Sequence, residues 1–83
     1  MITAEQCRAA RGLLNWNQQD LAQFAGIGIV TVHQLEAGAS RPRRATLEVI
    51  KRAFEEAGVE FIDENGGGPG VRLRKPTQQR SPK

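Results

Sequence analysis

Apolar and small side chains recur at helical spacing along most of the chain and switch to strand spacing only near its end, which predicts a run of helices followed by a hairpin. The first helix is announced at Thr3. Thr3 and Gln6 stand where the two halves of a capping box belong, and Ile2 and Cys7 occupy the flanking staple positions. Cys7, Ala10 and Leu14 continue as one stripe, weakened somewhat by Gly12, until Asn15, a residue that tolerates left-handed backbone. Asn17 then caps a second helix, with Asp20 three residues on and Trp16 and Leu21 as its staple. A lone Trp in a domain this small supplies buried area, so Trp16 reads as core rather than as a platform for a ligand.

The segment from Gln18 to Ala37, QQDLAQFAGIGIVTVHQLEA, has the spacing of a helix-turn-helix. Two helices joined by so short a turn cross steeply, so the first needs a small residue where the second passes, and Ala22 supplies it. Leu21 and Ala25 share that face. Gly26 accepts left-handed backbone at the helix end, Ile27 fills the corner, and Val32 and Leu35 face inward from the next helix, which runs from near Gly28 to Gly38. A basic connector, Ser40-Arg41-Pro42-Arg43-Arg44, leads to a fourth helix over about 44–57, with Leu47, Ile50, Ala53 and Phe54 inward and Gly58 closing it. Val59, Phe61 and Ile62 form a β-prone run, and Val71-Arg72-Leu73-Arg74 alternates apolar with basic across a glycine-rich loop. Because Gly66 to Gly70 lie between strands and lead into no helix, they read as a turn and not as a phosphate cradle. The expected fold is mainly α, a compact four- to five-helix bundle with a helix-turn-helix plus a short C-terminal β-hairpin. Its expected parts are a helical domain over 1–58, a hairpin extension over 59–75 and a disordered basic tail over 76–83.

With 83 residues the chain holds one small domain. A single cysteine and a single histidine make neither a disulfide framework nor a four-ligand zinc site, so no metal or cofactor is expected and the context reads as reducing and cytosolic. No charged-then-apolar start with a cleavage site is present, and no apolar run approaches the roughly 20 residues that span a bilayer. The positive net charge is misleading: Arg72, Arg74, Lys75, Arg80 and Lys83 lie beyond Pro69 without an acid, and the residues before them are net acidic. Arg41, Arg43 and Arg44, crowded directly after the motif, are the informative charges. Nothing suggests an enzyme, since no paired carboxylates, no His with a nucleophile and orienter, and no phosphate-binding loop stand at a recognisable spacing.

From Thr3 to Gly58 the residues resemble the phage-repressor-like, xenobiotic-response-element type of bacterial helix-turn-helix regulator. The resemblance rests on the pattern from Gln18 to Leu35, the ending Leu35-Glu36-Ala37-Gly38, the basic connector, and the helix with Leu47 and Ile50 that follows. It implies sequence-specific binding of double-stranded DNA, with the second helix of the motif in the major groove. By motif position Ile29, Val30 and Gln34 face base edges with His33 beside them. Asn17, Gln18, Thr31, Ser40, Arg41, Arg43 and Arg44 face phosphates, and Arg11 and Glu36 form a structural ion pair. Gln34 has the amide to pair with adenine, whereas Ile29 and Val30 offer only packing on thymine methyl groups, or belong instead to the core or to a protein contact. His33 and Gln34 read alternatively as ordinary solvated side chains. The function implied is that of a cytoplasmic transcriptional regulator, a dimeric repressor. The alternative is an antitoxin-like module that neutralises a protein partner, bound through the hairpin, and touches DNA secondarily.

Overall fold

Thr3 starts the first helix by the means its spacing predicts. In the structure, a computed structural model that describes residues 2–39 and 41–74, the Gln6 N–H donates to Thr3 Oγ1 and the Thr3 N–H donates to Gln6 Oε1, each at 3.0 Å. Helix α1 (Ala4–Leu14) ends on Asn15 in the left-handed region at φ 58°. Helix α2 (Gln18–Ala25) repeats the device: the Asp20 N–H donates to Asn17 Oδ1 at 2.7 Å and the Asn17 N–H to Asp20 Oδ2 at 3.0 Å. Gly26, at φ 72°, stops it, and the N–H groups of Gly26 and Ile27 both turn back to the Ala22 carbonyl. Helix α3 (Ile29–Ala37) follows at once and ends on Gly38, again left-handed. Helix α4 (Arg44–Glu56) completes the helical part, so the described residues contain four helices. The expected tail over 76–83, with Lys75 and Ser40, lies outside the described residues.

The inward positions named by periodicity converge on one core. Cys7 and Ala10 from α1, Leu21 and Ala22 from α2, Val32 and Leu35 from α3, and Leu47, Ile50 and Phe54 from α4 are all buried, with Ile2 closing one end. Ala22, the small residue at the crossing, is buried where α2 and α3 pack. Trp16 is half-buried against this core, its ring stacked on Phe54 at 5.6 Å.

Strands β1 (Val59–Ile62) and β2 (Gly70–Leu73) pair antiparallel, with Val59 opposite Leu73 and Phe61 opposite Val71. Period-two alternation turns these four side chains to the helices, while Glu60 and Arg72 pair on the outer face at 3.2 Å. A two-stranded ribbon is marginal alone, and here the helices support it. Val59 is fully buried, a contribution of about 1.5–3 kcal/mol for a side chain of this kind. The Phe54 and Phe61 rings meet at 5.9 Å. Gln6 adds a polar tie: its amide nitrogen donates to the carbonyls of Ile62 at 3.3 Å and Gly70 at 3.0 Å. The hairpin is thus part of the same packed unit as the helices.

Candidate nucleic-acid interface

Helix α3 divides its side chains cleanly. Val32, Leu35 and Glu36 are buried, while Val30, His33, Gln34 and Ala37, spaced i, i+3, i+4, i+7, are exposed on the opposite face. Of the two apolar residues at its start, Ile29 is half-buried against the core and Val30 is 60% exposed. Only Val30 therefore presents a full apolar surface outward. Thr31 is half-buried at the edge of that face, and Gly28 precedes the helix with no side-chain cap.

What holds this helix is a buried carboxylate. Glu36 sits in the inward stripe with Val32 and Leu35, a position that strands a charge unless donors surround it. They do. Arg11 grips it in a fork, Nε to Oε2 at 2.7 Å and Nη2 to Oε1 at 2.8 Å, and the Gln18 amide nitrogen donates to Oε1 at 2.9 Å. The Cys7 thiol donates to Oε2 at 3.1 Å. Arg11 also donates to the Trp16 carbonyl at 3.0 Å, tying the α1–α2 connection to the same site, and the Arg8 guanidinium donates to the backbone carbonyl of Glu36 in the last turn of α3. The carboxylate thus joins α1, α2 and α3 at one point.

The electrostatics follow from that geometry. Burial pushes the Glu36 carboxyl up, but the hydrogen bonds from Arg11, Gln18 and Cys7 and the charge of Arg11 outweigh it, so its pKa lies below the ordinary carboxylate value. The Cys7 thiol moves the other way, raised first by burial and then by its bond to Glu36, and is held as a neutral donor. The Arg11 guanidinium is raised by the same carboxylate.

Sequence reasoning placed Arg11 and Glu36 as a pair but missed Cys7, Arg8 and Gln18 around them. A signal was present. Cys7 and Arg11 stand four apart on α1, and an acid in the inward stripe of α3 requires donors from whatever packs there. Gln18, assigned to a phosphate by motif position, has its amide nitrogen on Glu36. Asn17 is engaged by its capping box. The connector residues Arg41, Arg43 and Arg44 are exposed; Arg44 lies 3.5 Å from Glu48 in a solvated i,i+4 pair that adds little stability. Ser40 lies outside the described residues.

An exposed, mixed polar–apolar helix face followed in sequence by three exposed arginines is the equipment for lying in a groove between two phosphate rails. No helix among the described residues is long and apolar enough to cross a membrane. No curated protein matches the chain. A family model described as helix-turn-helix matches residues 8–61, more than half the chain, running from α1 into β1 and so including the motif, Glu36 with Arg8, Arg11 and Gln18, and the basic connector. The chain belongs to the helix-turn-helix family of phage-repressor-like, DNA-binding transcription regulators.

Proposed function

We propose that this protein is a bacterial repressor that binds a two-fold-related operator as a homodimer, each copy laying α3 in the major groove. The observation that carries the reading is the outward face of Val30, His33, Gln34 and Ala37 on a helix anchored from behind by Glu36. Gln34 is the base reader, its amide suited to the paired acceptor and donor of adenine; Val30 packs on a thymine methyl. His33 reaches a base edge beside them. Ile29 contributes only the part of its side chain left outside the core, so direct readout rests on Val30 and Gln34.

Arg41, Arg43 and Arg44 clamp the flanking phosphates, with Ser40 and Thr31 assisting. At the start of α2 the backbone amides of Gln18 and Gln19, which the Asn17–Asp20 capping box does not use, face the phosphate, since the side chains of Asn17 and Gln18 have partners within the protein. One domain of this size touches few base pairs, and two half-sites one helical turn apart supply the affinity that one lacks. The protein acts in the cytoplasm, at the nucleoid, by occluding its operator and without catalysis.

Selection of bound duplexes from a random pool tests the proposal. Enrichment of a sequence with symmetric half-sites, bound far more tightly than bulk DNA, is the expected result. No enrichment, together with an Arg43→Ala variant that binds as the parent does, overturns it. A reporter downstream of the selected operator, silenced when the protein is present, decides the sign of regulation.

A further inference from the structure

Among the described residues, Phe24 is the most exposed of the large hydrophobic side chains. Phe24, on α2, is 67% exposed, and its ring lies flat on Trp16 with centroids 4.6 Å apart and planes 9° from parallel. Beside this stack runs a groove of about 340 Å³ lined by Trp16, Phe24, Ala53, Glu56 and Ala57. Val49, 42% exposed, precedes Ala53 by one turn and extends the strip along α4. An exposed ring beside a hollow lined by alanines is an apolar patch of the kind that marks an interaction surface.

The charges at the rim select the occupant. Arg52 and Glu56 are exposed, stand four residues apart on α4, and among the described residues neither takes part in an ion pair. A closed two-fold interface presents one patch to its own image. When two α4 helices cross antiparallel midway between these positions, Arg52 meets the partner's Glu56 and Glu56 meets the partner's Arg52.

We infer that the Trp16–Phe24 stack and the Val49–Ala53–Ala57 flank of α4 form the surface through which two copies of this chain associate. The inference rests on the homodimer reading above and names its interface. Sedimentation without DNA tests it, with circular dichroism to confirm that each variant is folded. The parent chain is expected to sediment as a dimer and Phe24→Lys as a folded monomer. Arg52→Glu alone is expected to weaken the dimer about tenfold, and the double exchange Arg52→Glu with Glu56→Arg to restore it. A parent chain that remains monomeric at the highest concentration accessible overturns the inference and leaves the groove to a different protein. A dimer unchanged by both Phe24→Lys and Arg52→Glu overturns it equally, by placing the contact elsewhere. Binding of each variant to a duplex with one half-site is read in parallel. None of these residues faces DNA in the reading above, so intact half-site binding by a monomeric variant separates failure of the interface from failure of the DNA-binding function.

Discussion

Glu36 is the residue on which the most depends, because a buried carboxylate is tolerable only while its donors stay in place. Its pKa is depressed in the folded chain, so it contributes stability that is fully present above the unfolded glutamate value of about 4.3 and is lost as pH falls through the lower folded value. Acid titration followed by circular dichroism should show this loss below about pH 4.3, and the loss should be smaller in Glu36→Gln, which carries no titrating group. Arg11→Ala, which leaves the carboxylate buried without its fork, should cost about 3–5 kcal/mol in chemical denaturation. On the outward side of α3 the effects fall on binding and not on stability. Gln34→Ala should lose about 1–3 kcal/mol of discrimination at one adenine and leave the melting temperature unchanged. On the proposed docking, replacing the thymine opposite Val30 by deoxyuridine removes a methyl contact; parent protein should bind the substituted duplex more weakly, and Val30→Ala should no longer distinguish the two.

At the scale of elements, the helix ends were the most legible part of the sequence. Thr3 with Gln6 and Asn17 with Asp20 are capping boxes in the structure as in the pattern, because a capping box is closed by residues three apart and needs nothing distant. The same holds for the turn between α2 and α3. Gly26 is left-handed, and an added Cβ there meets nothing within 4 Å, so the cost of Gly26→Ala is purely conformational. It should be about 1–2 kcal/mol by denaturant titration, with Asn in that place costing less. Less legible was the role of side chains whose partners are far away in sequence. Local spacing identifies Gln6 as half of a cap, yet the same side chain also ties α1 to both strands, more than fifty residues on.

For the molecule as a whole, the hairpin shows what packing adds to a segment-by-segment reading. Read alone, 59–75 is an extension whose two short strands must lie on the helices or on a partner chain to be stable. Packed, Val59 enters the core and Phe61, Val71 and Leu73 cover it, while Phe54 links Trp16 on one side to Phe61 on the other. The helices and hairpin should therefore unfold together. Phe54→Ala, at a fully buried site, should cost about 3–5 kcal/mol, a large part of what a domain of this size possesses. Hydrogen exchange should show β1 amides opening at the same free energy as those of α4. Strand amides that exchange well before the helix amides would mean that the hairpin is an independent appendage.

The sequence by itself determined the order of elements, their ends, the inward stripe of each helix and the family, because caps, turns and periodicity are local and the helix-turn-helix spacing is a packing rule written into one short segment. Tertiary structure alone decided which side chains share a site. It drew Ile29 toward the core and left Val30 out, gave Gln18 to Glu36, added Cys7 and Arg8 to that cluster, and left Phe24 exposed on Trp16. Those outcomes depend on where separate helices meet, and the angle and depth of each meeting are set by all the side chains of the core together.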